Sequence, residues 1–287
     1  MSTLEIFVWD HHLGSLAAMT GTNLYEAALK TQKTACLKTL HQCSLQDMLT
    51  PSQADWLISV GKTPTEFLYI QTKPHLYWDL GLEPCHFPWD AAAWLGAPYE
   101  LPHPRSLFLP HAISPHLLPA LAPRFPVVMF SSIQDAYPFV ESIGDIPVHL
   151  FGQHAGAHWF SRLSYPTSRY LHPLLPYLEH HRVLQQSKIL LILQPQEGNF
   201  SHPWILPALV AGCLVLMTPN PYAQQLFAKD DDLWLDPQKP ERVHSTIQTF
   251  LQDNAYRKRR VKELQAKILP QVNWSNRLQS VQNQLLE

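Results

Sequence analysis

Short unbroken apolar runs, each followed by a polar or helix-length stretch, recur along this chain. Residues 4–9, 56–60, 126–130, 146–151, 188–193 and 213–217 are such runs, with shorter ones at 75–78 and 233–235. Strands buried on both faces read this way, because neither face meets water and polar alternation is lost. The pattern therefore predicts an α/β chain of parallel sheets covered by helices. Residues 24–31, 66–71, 171–181, 183–186 and 223–227 read as helix. In 241–252, Val243, Ile247, Phe250 and Leu251 fall at i, i+4, i+7 and i+8, one helical face, with Pro240 in the first turn. Residues 255–267 predict a second helix behind it.

Composition narrows the class. With 46% hydrophobic and 15% charged residues, the chain is globular rather than disordered. Its 287 residues suffice for two modest cores. Many of its 26 prolines crowd between Pro84 and Pro126, where they break helices and cannot donate to sheet ladders. That stretch reads as a crossover, giving expected domains at 1–115 and 116–287. A formal net charge of −2 supplies no whole-protein field for nucleic acid, so no nucleic-acid partner is expected. The one basic run, residues 257–260, reads as a solvated helix face. Cys36, Cys43, Cys85 and Cys213 are too few and scattered for a disulfide framework and include no Cys-x-x-Cys pair. No signal-peptide pattern opens the chain, and its longest apolar stretch, 204–217, is too short to span a bilayer. A soluble, cytoplasmic protein without a transmembrane segment is the expectation.

Ligands of open α/β sheets sit beyond the carboxyl ends of the strands, which singles out the residues following each run. Asp10, His11 and His12 follow the first. Histidine is the usual general base near neutral pH, and Asp10 could orient it; in a chain with 16 histidines the commoner reading of either one is a bystander. Asp79, after 75–78, is a second acid–base candidate or a plain turn residue. Ser131 and Ser132 follow 126–130, and Gln153 follows 146–151. The loop from Gln194 to His202 follows 188–193 and holds Glu197, Gly198, Asn199, Ser201 and His202 before Pro203. Such a loop can present backbone N–H groups to an anion, or simply cap the next helix.

The series Ala208-Leu209-Val210-Ala211-Gly212-Cys213-Leu214-Val215-Leu216 resembles the helix-to-strand step in the donor half of GT-B glycosyltransferases. The nearest likeness is to the group that includes the spore maturation protein CgeB. The turn 219–221, the helix 223–227 ending in Leu-Phe, the run 233–236 and the final helical pair are similar in order. Earlier, His75-Leu76-Tyr77-Trp78-Asp79 resembles the group's strand ending in Trp-Asp, and 107–112 its Leu-Pro-x-Ala strand end. The resemblance implies two Rossmann-like domains whose parallel sheets face a central cleft. It implies transfer of a sugar from a nucleotide-sugar to an unknown acceptor, with no metal and no cofactor beyond the donor substrate. His12, Asp10 and Asp79 then become catalytic candidates on the acceptor side. Ser131, Ser132, Gln153, Glu197, Gly198, Asn199, Ser201 and His202 become donor-binding candidates. The chain departs from the group where an Arg-x-x-Glu-Ala segment holds the donor ribose: Trp204 and Pro207 stand at those positions. Glu197 is the carboxylate nearby. A short acceptor domain implies a partner protein or macromolecular acceptor, and loss of the charged pair implies the alternative of an inactive GT-B homologue serving as a binding or scaffolding subunit.

Overall fold

The computed structural model describes residues 3–9, 16–31, 34–40, 42–60, 75–79, 91–94, 106–108, 112, 121–152, 170–172, 175, 177–194, 202–227, 231–281 and 283–284. The chain divides into two units, Met1–Pro115 with Gln271–Glu287, and His116–Pro270.

The first unit runs β1 (Thr3–Val8), α1 (Leu16–Lys30), β2 (Thr34–Thr39), α2 (Leu45–Leu49), β3 (Trp56–Val60), β4 (His75–Asp79), β5 (Ala91–Trp94) and β6 (Ser106–Phe108). Its strands form one sheet in the order β2-β1-β3-β4-β5-β6, every pair parallel. Alternate residues of β1 serve opposite faces, as the two-residue period of a strand requires. Leu4, Ile6 and Val8 pack with Leu24, Ala27 and Ala28 of α1, whereas Phe7 joins Trp9, Leu57 and Met48 of α2. Helix α1 lies close on the sheet at Gly21, where the Val8 side chain occupies the space a Cβ would need. Helix α2 is short but firmly started. Ser44 accepts from the Asp47 N–H, and the Asp47 carboxylate accepts from the Ser44 N–H and hydroxyl, a capping box.

The second unit runs β7 (Phe125–Phe130), α3 (Ile133–Ser142), β8 (Val148–Phe151), β9 (Leu171–His172), α4 (Tyr177–Gln185), β10 (Ser187–Ile192), α5 (Ile205–Val210), β11 (Leu214–Met217), α6 (Pro221–Phe227), a 3-10 turn (Asp231–Leu233), α7 (Pro240–Gln252) and α8 (Asn254–Ile268). Its sheet is again all parallel, ordered β11-β10-β7-β8-β9. Val127, Val128, Ile189, Leu190, Leu191 and all of β11 are fully buried or nearly so, which is why these strands read as continuous apolar runs.

Helix α8 is held from several sides. Gln265 donates to the Leu209 carbonyl at 2.6 Å and Lys267 to the Phe227 carbonyl at 2.9 Å, a cation at the end of α6. The last helix, α9 (Trp274–Val281), returns to the first unit: Trp274, Leu278 and Val281 bury against β1, β3 and α1.

Several expectations need correction. Residues 171–181 are not one helix; Leu171–His172 is an edge strand and the helix begins at Tyr177. Pro173 and Pro176 explain this, since a residue before proline is pushed out of the α region. Residues 233–235 form no strand of their own. Trp234 makes a single bridge to Met217, and Leu233 closes the 3-10 turn. The basic run is not a uniformly solvated face. Arg257 is only 4% exposed and donates to the Phe250 carbonyl at 2.9 Å and to Asn254. Arg260 clasps both carboxylate oxygens of Asp232 at 2.9–3.0 Å. The expected helix 66–71 and Cys85 lie outside the described residues. Cys36, Cys43 and Cys213 are free thiols, and burial raises Cys213 far above its ordinary range.

Candidate functional site

From β7 the second unit's chain steps to β8 and β9 on one side, then crosses to β10 and β11 on the other. The inner neighbours β7 and β10 thus mark the point where strand order reverses. Loops leaving such a pair diverge, which opens a crevice beyond the carboxyl ends of the strands. In the first unit the equivalent reversal falls between β1 and β3.

The chain leaving β7 passes through Ser131 and Ser132. The Ser131 N–H donates to the Phe151 carbonyl at 3.1 Å. Ser132 is the N-cap of α3, its carbonyl accepting from the Ala136 N–H at 3.1 Å, and its hydroxyl makes no capping bond. The first turn of α3 presents the positive end of the helix dipole, with Asp135 within that turn. Gly152, just past β8, lies hard against this segment. A Cβ there would overlap the Ser131 carbonyl oxygen and come within 2.8 Å of its carbon. Only glycine lets the two strand ends pass this closely.

The ends of β10 and β11 are locked together by Gln194 and Thr218. The Gln194 N–H donates to Thr218 Oγ1, Gln194 Nε2 donates to the Thr218 carbonyl, and the Thr218 hydroxyl donates to the Gln194 carbonyl, each at 2.8 Å. Asn220 then caps α6, its Oδ1 accepting from the Ala223 N–H at 2.7 Å, with Pro221 in the first turn.

His202 enters α5. Its Nδ1 accepts from the Trp204 N–H at 3.4 Å, which assigns the ring proton to Nε2. Burial lowers its pKa to about 4, so the ring is neutral at pH 7. Trp204, where the resemblance implies a cation, instead fills an aromatic cluster. It stacks on His180 at 4.5 Å and 17° and meets Phe130 at 5.5 Å and the His181 edge at 5.8 Å. The contact with Phe130, one residue before Ser131, brings the entry of α5 beside the end of β7. Pro207 sits in the first turn of α5, where its missing N–H breaks no helical bond, and its carbonyl accepts from Ala211 at 2.9 Å.

Of the expected site residues, Ser131, Ser132 and His202 gather around the β7–β10 reversal. Asp79 ends β4 in register with Trp94 of β5, away from the β1–β3 reversal by one strand. Asp10, His12, Gln153, Glu197, Gly198, Asn199 and Ser201 lie outside the described residues. Sequence reasoning placed Gln194 at the head of the candidate loop and Gly152 at a strand end without giving either a role, and it missed Thr218. A polar residue ending an apolar run was the available signal for Gln194, but its role depends on a partner 24 positions away. Among the described residues no three His, Cys, Asp or Glu side chains gather as a metal site, and no helix is long and apolar enough to cross a membrane.

Comparison with known proteins completes the picture. The chain is similar in structure to an alpha-glucosyltransferase in complex with UDP and a 13-mer DNA (10% identity, TM-score 0.71, 100% of both chains). It is similar to T4 phage BGT in complex with its UDP-glucose substrate (11% identity, TM-score 0.67, 99% of both chains). A third likeness is to Anabaena HepE in complex with UDP and glucose (11% identity, TM-score 0.63, 100% of both chains). At such identities the likeness is one of fold, that of the GT-B glycosyltransferases. No curated protein matches the chain. The model of the family described as glycosyl transferase-like matches residues 136–283, which is 148 of 287 residues and more than half. The chain belongs to the glycosyl transferase-like family.

Proposed function

We propose that this chain is a metal-independent glycosyltransferase that takes its donor, a nucleotide-sugar, at the carboxyl ends of β7 and β10. Family membership supports sugar transfer, and the UDP, UDP-glucose and glucose held by its structural neighbours support a nucleotide-sugar. The observation that carries the proposal is the strand-order reversal headed by Ser131, Ser132 and the uncapped start of α3. N–H groups aimed outward there meet a diphosphate without a resident cation. Ser132 Oγ adds a hydrogen-bond donor, and His202, Gln153, Gly198, Asn199 and Ser201 complete the donor side. Glu197 takes the ribose hydroxyls in place of the carboxylate that the resemblance implies where Pro207 stands. On the acceptor side His12 is the base, oriented by Asp10, with Asp79 as the second carboxylate candidate. The acceptor is a molecule or partner protein of unassigned class, the setting is cytoplasmic, and the chain is kin to the CgeB-like group.

A second reading has its own observation. Trp204 is packed into the Phe130–His180 cluster and Pro207 is buried, so neither position offers charge to a donor. That favours an inactive homologue that binds without turnover.

Thermal shift against UDP-, GDP-, ADP- and CMP-sugars, followed by a hydrolysis assay, separates the two. Stabilisation by one donor with turnover is expected; stabilisation without turnover supports the binding subunit, and no stabilisation by any member removes the donor proposal. Glu197→Gln should weaken the stabilising donor about tenfold or more, because charge-assisted bonds are worth roughly 1.5–3 kcal/mol and 1.4 kcal/mol is a factor of ten. Unchanged affinity would remove Glu197 from the site.

A further inference from the structure

Gln194 follows β10 directly, at the strand-order reversal, and is 6% exposed. Its amide cannot be turned end for end. The group facing it across 2.8 Å is the Thr218 carbonyl, an acceptor, so the NH2 end must lie there and Oε1 must point away from Thr218. The backbone of Gln194 is pinned as well, by the reciprocal bonds to the Thr218 hydroxyl. Oε1 is therefore a fixed, buried carbonyl oxygen, and it accepts no hydrogen bond among the described residues. Buried acceptors rarely stand alone, and one at the end of a strand beside the β7–β10 reversal marks a missing donor group. The missing group must carry an O–H or N–H. A diphosphate offers only acceptors at neutral pH, so it cannot fill the role. A hydroxyl can.

We propose that Gln194 is a specificity-determining residue whose Oε1 accepts a hydrogen bond from a hydroxyl of the nucleotide-sugar. This rests on the glycosyltransferase reading and adds to it the part of the donor that is read. Two parts of the donor carry hydroxyls, the ribose and the transferred sugar. Both present the same chemistry to Oε1, and the ligand series separates them.

The test is calorimetric titration of the full chain and of Gln194→Met with UDP-glucose, or with whichever donor of the panel binds. UDP, UDP with the ribose 2′- or 3′-hydroxyl removed, and UDP-deoxyglucoses complete the series. The parent should bind the analogue lacking the read hydroxyl about tenfold or more weakly than the full donor, and Gln194→Met should bind the two alike. If the selectivity lost concerns a ribose hydroxyl, affinity for UDP alone falls too; if it concerns the transferred sugar, UDP affinity stays at the parent's value. A parent indifferent to every single hydroxyl removal overturns the proposal without any variant being needed, so a poorly folding Gln194→Met does not shield it. A folded Gln194→Met that keeps the parent's selectivity also overturns it, leaving Oε1 to a resident water. A panel that binds nowhere ends the glycosyltransferase reading itself, whereas binding without hydroxyl selectivity ends only this inference.

Discussion

Histidine burial sets how the second unit responds to acid. His149 on β8, His181 on α4 and His202 before α5 each have a pKa lowered to about 4. Burial is the main cause in all three; neighbouring positive charge adds to it, from His172 and Arg124 for His149 and from His180 for His181. At His149 the geometry agrees, since its Nδ1 lies 3.0 Å from His172 Nε2 and the pair can hold one proton between them at that distance, not two. In the unfolded chain the same rings titrate near 6.5. Between about 6.5 and about 4 the unfolded state therefore binds more protons than the folded one, and stability falls as pH falls through that window. Asp47, Asp145 and Asp236 are held below the usual carboxylate range by hydrogen bonds from Ser44, His244 and Lys239, so their contribution is lost only at lower pH. The melting temperature should drop between about pH 6.5 and about 5, before Asp47, Asp145 and Asp236 titrate. A melting temperature that stays level or rises between 6.5 and 5 would show these rings are not held neutral by the fold.

At the scale of the element, the turn from α5 into β11 explains why part of this fold is plain in the sequence. Gly212 has φ 77°, its N–H donates to the Leu209 carbonyl at 3.0 Å, and the Cys213 N–H donates to the Ala208 carbonyl at 2.9 Å. This pair of bonds is a Schellman ending, with Ala208 and Cys213 both buried beneath it. Gly212→Ala should lose about 1–2 kcal/mol in urea unfolding, the cost of a Cβ in the left-handed region, and Gly212→Asn less. An alanine variant as stable as the parent would contradict the assigned backbone. A local device of this kind is visible in the sequence because glycine must stand there, and the strands beside it are visible because both their faces are covered. What hides is whatever depends on distant partners or on short length. Strand β2 lies at the sheet edge with Cys36 exposed and Lys38 paired to Glu5 at 2.8 Å, so no apolar run announces it. Strand β9 is two residues long, and 233–235 lost strand character to a 3-10 turn that Arg260 and Tyr256 anchor through Asp232. The site divides the same way. Ser131 and Ser132 could be named because they end an apolar run; Gln194 needed Thr218, and Gly152 needed the Ser131 carbonyl.

For the whole molecule the consequential feature is the return of α9. The second unit, His116–Pro270, is placed in sequence between two pieces of the first, so the first unit's core is complete only when the far end of the chain arrives. Trp274, Leu278 and Val281 join Leu4, Ile6, Val8, Leu24, Ile58 and Val60 in one buried cluster, with Leu278 and Val281 fully buried. Nothing in the apolar periodicity of residues 274–281 says which unit they serve, because an amphipathic face fits any core of suitable shape. Leu278→Ala removes buried methyl groups at a position walled by both sheet and helix, where collapse is limited, and should cost about 2–5 kcal/mol. The loss belongs to one unit. In hydrogen exchange, β1, β3 and α1 should lose protection, while β7, β10 and β11 keep theirs, since their own core of Val127, Leu190 and Leu216 contains no residue of α9. Protection lost equally in both sheets would show that the two units unfold as one. Loss confined to β7, β10 and β11 would overturn the assignment of α9 to the first unit.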